Sequence, residues 1–169
     1  MRRVLSLLIL VLPVCSWSFD FKGIAVGKTA TPDEIQQRLG VNCGVGYAAM
    51  QVCNGNVTVA RESASINLVI NPEGIVQRIA LSLSPDAFDD VAPELIRKFG
   101  NPSSTSRSIV QNRMGAKYPQ IVHLWSATDG TQVLYMKYAG TLERSSLNFT
   151  TEADRAMLSK GKESRSGDI

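Results

Sequence analysis

Ser65-Ile66-Asn67-Leu68-Val69-Ile70-Asn71-Pro72-Glu73-Gly74-Ile75-Val76-Gln77-Arg78-Ile79-Ala80-Leu81-Ser82-Leu83 reads as two strands and the turn between them. Ile66, Leu68 and Ile70 alternate with Ser65 and Asn67, the period of a strand with one buried face. Asn71-Pro72-Glu73-Gly74 has turn chemistry: asparagine to bond its own backbone, proline to fix φ, glycine to take a positive φ. The pattern then resumes, with Ile79, Leu81 and Leu83 directed inward and Arg78, Ala80 and Ser82 outward. A β-hairpin with one polar face follows from these residues alone.

Upstream, Thr31-Pro32-Asp33-Glu34 opens a helix. Thr31 supplies a cap, Pro32 suits the first helical position and Glu34 completes a capping box. Ile35 and Leu39 make a short apolar stripe, and Gly40 is placed to end the helix in the left-handed conformation. The stretch from Gly44 to Gly55 reads as turn-rich, with a brief strand at Val57 to Arg61. Downstream of the hairpin, Phe88, Val91, Leu95 and Phe99 mark one face of a helix over about Pro85 to Phe99, either kinked at Pro93 or preceded by a short turn. Strands are expected at Ile109 to Asn112, Gln120 to Ala127, Gln132 to Ala139 and Arg144 to Thr150, with an Asp129-Gly130 turn between the middle pair. Thr151 caps a short helix to about Leu158, and 159–169 reads as a disordered tail.

Glu34-Ile35-Gln36-Gln37-Arg38-Leu39-Gly40 parallels Glu94-Leu95-Ile96-Arg97-Lys98-Phe99-Gly100, and strands follow each. The expected fold class is therefore α+β: an antiparallel sheet with two helices packed on one face. A tandem αβββ duplication is the reading that explains the parallel, with halves 19–84 and 85–158 of a single domain. The alternative is that any amphipathic helix ending in glycine looks this way.

The chain has 169 residues, 44% of them hydrophobic and 20% charged, enough apolar content for a core and too much for a disordered chain. Residues 1–18 carry Arg2 and Arg3, an apolar run from Val4 to Val14 and then small residues, the order of a secretory signal peptide. That run is about 11 residues, well short of the roughly 20 a spanning helix needs. Cleavage is expected after Ser18, or after Ser16, and export to the periplasm follows. Extracellular release and a lipid anchor at Cys15 are the alternatives. Without Arg2 and Arg3 the 18 basic side chains become 16 against 15 acidic ones, a net charge of +1. No basic stripe with interleaved aromatics supports nucleic-acid binding. Two cysteines then remain, Cys43 and Cys53. An even pair in an oxidising compartment favours a disulfide, and with one histidine in the chain a four-ligand zinc site lacks donors.

Gly27-Lys28-Thr29 lacks the glycine spacing of a phosphate loop and fits a turn. His123 is the only histidine and hence the sole ordinary base for a hydrolase, but it falls mid-strand with no nucleophile elbow near it in sequence. The Asp86, Asp89, Asp90 and Glu94 cluster suits a helix N-terminus. No catalytic residue, metal ligand or cofactor is assigned. If Leu134, Met136 and Tyr138 face inward with Leu147 and Phe149, and Val122 and Leu124 do so in the preceding strand, the opposite face carries Arg78, His123, Trp125, Tyr135, Lys137, Arg144 and Asn148. Tyrosine, tryptophan and arginine anchor protein interfaces, so this set is the expected binding face. A shift of one residue would instead bury Trp125.

Phe19-Asp20-Phe21-Lys22-Gly23-Ile24, the Leu39-Gly40 helix end, the Cys43/Cys53 pair and Val110-Gln111-Asn112-Arg113-Met114-Gly115-Ala116 resemble a family of small exported proteobacterial proteins without an assigned activity. The resemblance covers nearly all of the expected mature chain. The Gly23–Gly40 run is more distantly similar to the helix entry of outer-membrane assembly lipoproteins of the BamE/SmpA type, although Lys28 stands where those usually carry methionine. The duplication is similar to the β-lactamase-inhibitor protein fold, which binds an enzyme on a concave sheet. With no catalytic constellation in the sequence and with the expected polar–aromatic face, the first reading is a non-enzymatic periplasmic module that binds or inhibits another envelope protein. An envelope-assembly or structural component is the alternative, and a hydrolase using His123 is the reading with least support.

Overall fold

The structure, a computed structural model, describes residues 19–166, with side chains up to Lys160. The expected leader and Cys15 lie outside the described residues. Strands β1 (Asp20–Phe21) and β2 (Ile24–Ala25) form a small hairpin, and helix α1 (Pro32–Leu39) follows. Thr31 Oγ1 accepts from Glu34 N at 3.2 Å, and Gly40, at φ +67°, donates its N–H to Gln36 O, so both helix ends close as their residues dictate. Next come β3 (Asn42–Val45), β4 (Gln51–Val59), β5 (Glu62–Ile70) and β6 (Val76–Leu83). A short 3₁₀ turn, Pro85–Ala87, leads into α2 (Phe88–Phe99). The chain then forms β7 (Ser104–Gln111), β8 (Lys117–Ser126), β9 (Gln132–Met136) and β10 (Ser145–Thr150), and ends in α3 (Glu152–Ser166).

Strands β3 to β10 make one antiparallel sheet in the order β3-β4-β5-β6-β10-β9-β8-β7. The hairpin read first, β5–β6, pairs Ile66 with Leu81 and Leu68 with Ile79, inward residue against inward residue. Asn71 builds its turn: its Oδ1 accepts from Ile75 N at 2.8 Å and its carbonyl from Gly74 N at 2.9 Å. The core lies between one face of this sheet and the two earlier helices. Ile35 and Leu39 of α1 and Phe88, Val91 and Leu95 of α2 are buried with Leu68, Ile79, Leu81, Val133, Leu147 and Phe149.

The α+β expectation is corrected here. The chain is mostly β, 46% strand and 25% helix, and the helices number three among the described residues. Four strands, not three, follow each of α1 and α2, so the αβββ unit does not occur. Strand β3 comes from Asn42-Cys43-Gly44-Val45, which has the composition of a turn; β4 starts earlier than expected through the turn-like Asn54-Gly55-Asn56, and β7 through Ser104 to Ser108, which has no apolar alternation. Helix α3 lies on the other face of the sheet, joined to β6 by Asp154 and Arg78, and runs to Ser166 where a disordered tail was expected from 159. The short turn Pro85–Ala87 precedes α2, one of the two arrangements expected, and Pro93 lies within the helix, where it withholds the N–H that Asp89 O would accept.

Cys43 and Cys53 are directly opposed across β3 and β4 and form the expected disulfide, closing a loop with a sequence separation of 10. It pins the edge of the sheet on the core side, where Cys53 is fully buried. Gly27 serves the turn before α1, with φ +79° and its N–H donated to Val76 O at 2.8 Å.

Candidate functional site

The expected binding face does not assemble, because β9 runs in the opposite phase. Tyr135 pairs with Leu147 and Leu134 with Asn148, so Tyr135 points into the core. The same phase holds in β8, where His123 opposes Tyr135 and Trp125 opposes Val133. Trp125 is 2% exposed and donates its Nε1–H to Gly100 O at 2.8 Å, tying β8 to the end of α2. Tyr135 is fully buried and stacks on Phe88, with ring centroids 4.6 Å apart. Burial pushes its phenol up to about 12.

His123 stacks on Phe88 at 5.6 Å and shares a 2.8 Å hydrogen bond with Thr105 Oγ1 through Nδ1. Burial, reinforced by the Arg107 charge, lowers its pKa, so it is neutral near pH 7. Lys137 lies on this face too, with Nζ 5.5 Å from the Phe88 ring centre and 3.3 Å from Asp89. These four residues support the packing of α2. Arg78 and Asn148 belong to the opposite face of the sheet, and Arg144 stands on its rim. The seven residues are thus split across the sheet by one residue of register.

The opposite face carries a more coherent arrangement. Strand pairing sets one residue from every strand in a single row: Asn42, Asn54, Asn67, Ala80, Asn148, Leu134, Leu124 and Ser104. Asn67 Nδ2 donates to Asn54 Oδ1 at 2.7 Å. Asn148 Nδ2 donates to Ser146 Oγ at 3.3 Å. The parallel row toward the β9–β10 loop carries Ser65, Ser82, Ser146 and Met136. The row on the other side carries Arg78, Thr150 and Gln132.

Two grooves of about 650 and 700 Å³ meet over these rows, sharing Asn67, Ala80 and Asn148 as their common floor. One is walled by the β9–β10 loop with Gly140 and Arg144, the other by α3 with Arg155 and Leu158. Together they form a trough across the middle of the sheet. Its walls rise at the two ends of β10, Ser145 to Thr150, roughly 17 Å apart at the rise of an extended chain. The floor offers amides and hydroxyls, which both donate and accept, interspersed with Ala80, Leu124 and Leu134, and its charged group, Arg78, is paired with the buried Asp154.

The α3 wall is anchored to the sheet. Thr151 Oγ1 caps α3 by accepting from Asp154 N at 3.1 Å and donates to Gln77 Oε1 at 2.7 Å. Arg155 donates to Thr150 O and, at 2.7 Å, to Gly130 O. Asp154 is 1% exposed and lies 3.4 Å from Arg78. Burial raises its pKa, opposed by the positive charges of Arg78 and Arg155.

No family model matches the chain, nor does any curated protein or solved structure.

The site therefore stands on its geometry. Much of its floor lay in residues already read as outward: Ser65, Asn67, Arg78, Ala80 and Ser82. Asn54 was missed because Asn54-Gly55-Asn56 reads as a turn, and Leu134 because its strand carries apolar residues at both parities. Among the described residues no cluster of three or more histidine, cysteine, aspartate and glutamate side chains is placed to hold a metal ion. None of their helices is long and apolar enough to cross a membrane, and the disulfide is compatible with export.

Proposed function

We propose that this chain is an exported periplasmic module without catalytic activity that binds or inhibits another envelope protein, and that the trough over Asn67, Ala80 and Asn148 is its binding site. The observation that carries this reading is the set of asparagine and serine side chains from β4, β5, β6 and β10 gathered on one floor, facing away from the core and walled at both ends. Amide and hydroxyl donors and acceptors interspersed with Ala80, Leu124 and Leu134 suit the mixed polarity of a polypeptide surface. A span of roughly 17 Å admits an α-helix, whose diameter with side chains is about 10–12 Å. Arg144, exposed on the rim and with the Ala139 carbonyl as its guanidinium's partner among the described residues, adds a group of the kind that interfaces favour. His123 is held by Phe88 and Thr105, an arrangement that suits packing better than proton transfer.

The test is retention of envelope proteins on the immobilised chain, repeated with Ala80→Arg. Ala80 occupies the centre of the floor, half-buried and without a side-chain hydrogen bond, so a long side chain there fills the trough while leaving the core intact. The specific retained species should be lost from the variant while its thermal unfolding stays within about 1 kcal/mol of the parent. Undiminished retention by a folded Ala80→Arg protein would remove the trough as the site.

A further inference from the structure

We infer that the tip of the β7–β8 hairpin is a second, independent contact element that docks on an anionic lipid surface. Four hydrogen bonds shape the tip around Asn112. Its Oδ1 accepts from Met114 N at 3.0 Å and from Ala116 N at 2.8 Å. Its backbone N–H donates to Ala116 O at 3.0 Å, and its carbonyl accepts from Gly115 N at 3.1 Å. Gly115 completes the turn at φ +87°, a conformation that suits glycine. The turn is built by its own side chain and needs no neighbour to hold it.

Met114 is set outward by this turn and is 91% exposed. Ile109 on the same hairpin is 63% exposed. Tyr118 and Tyr138 pack edge to face near its base with centroids 6.0 Å apart. The tip stands beyond the rest of the sheet, because β9 pairs with β8 only from Val122 onward. The Gln120 side chain ties β8 to the residues after β9, donating to Tyr138 O at 2.6 Å and accepting from Tyr138 N at 2.9 Å.

Charge identifies the partner. From Ser104 to Ser126 the hairpin contains Arg107, Arg113 and Lys117 and no aspartate or glutamate, although the whole chain is nearly balanced at 18 basic and 15 acidic residues. None of the three cations is in an ion pair among the described residues. Arg113 and Lys117 flank Met114. A convex knob one apolar side chain wide, with cations on both sides and tyrosines behind it, matches the layering of a bilayer interface: acyl chains for methionine, anionic headgroups for arginine and lysine, and the interfacial zone for tyrosine. An acidic protein would satisfy the cations, but it would need a pocket for a projecting methionine; a bilayer yields to it.

Co-sedimentation of the chain with vesicles tests this, using phosphatidylcholine alone and phosphatidylcholine with roughly a third phosphatidylglycerol. The chain should pellet with the anionic vesicles at low salt and be released as salt rises. Arg113→Glu with Lys117→Glu should lower the partition coefficient on the order of tenfold or more. Met114→Ser should lower it severalfold with the salt dependence retained. All three positions are exposed, and circular dichroism should show the variants folded. Residues 1–18 are the same in every protein, so binding through them would be indifferent to these changes. Equal binding to neutral vesicles, binding unaffected by the tip variants, or no binding to anionic vesicles would each overturn the assignment. The last result together with retention of an acidic protein through the tip would assign it to protein contact instead.

Discussion

Asn67 donates from Nδ2 to Asn54 Oδ1 at 2.7 Å across the β4–β5 pair, on the face of the sheet turned away from the core. The bond fixes one hydrogen of the Asn67 amide and leaves its carbonyl oxygen and second N–H for the trough. Asn67→Ala should therefore separate stability from recognition. A single partly exposed hydrogen bond contributes about 0.5–1.5 kcal/mol to folding. A partner group left unpaired in the interface costs about 1–3 kcal/mol, on the order of a tenfold loss in affinity or more. Thermal melts and binding isotherms of the same variant check this; a large loss of stability with unchanged affinity would give the residue to the fold.

Trp125 belongs to the fold. Its ring is buried and its indole N–H holds the Gly100 carbonyl just beyond α2. Trp125→Ala should cost about 3–5 kcal/mol in denaturant unfolding. A surface role would leave the denaturation midpoint nearly unchanged, so that single measurement decides between the two.

The Cys43–Cys53 bridge closes a short loop at the sheet edge. Chain-entropy arguments give it about 2.5–3 kcal/mol. Reduction should lower the denaturation midpoint accordingly, and thiol labelling of the native protein should detect no reactive cysteine at these two positions. Labelling of both without reductant would contradict the bridge.

His123 gives the stability of the protein a defined pH dependence. Its folded pKa is lowered by burial and by Arg107. Between the ordinary value near 6.5 and the lower folded value, the unfolded chain holds more protons than the folded one. Stability contributed by this group is complete above that window, falls as pH drops through it and levels off below it. Comparing the parent with His123→Gln from pH 7.5 down to about 4.5 isolates the effect, and an NMR titration of the single imidazole should place its midpoint below 6.5.

Local chemistry was legible in the sequence wherever it acts through neighbouring residues. Thr31 and Gly40 close α1, Asn71 shapes the β5–β6 turn, Asp129 and Gly130 turn β8 into β9, and Thr151 caps α3. What escaped depends on pairing across the sheet. Leu124 and Trp125, like Leu134 and Tyr135, put large apolar groups at both parities, and only Leu147 opposite Tyr135 and Val133 opposite Trp125 select the phase. The β4–β5 turn was hidden because Ala60 and Arg61 adopt positive φ without glycine or asparagine to announce it. Strands β3 and β7 lie at the two edges and are largely exposed, so they show little of the alternation that marks a half-buried strand. The trough was half legible for the same reason: the outward residues of β5 and β6 were readable, whereas their alignment with Asn54 and Asn148 is a matter of register.

The most direct test places a photo-cross-linking residue at Asn148, on the trough floor, and separately at Glu34, half-buried on α1 across the sheet, in cells producing the protein. Irradiation should give a discrete higher-mass adduct from the Asn148 position that Ala80→Arg abolishes, and none from Glu34. An adduct from Glu34 alone, or one from Asn148 that survives Ala80→Arg in a folded protein, would contradict binding in the trough.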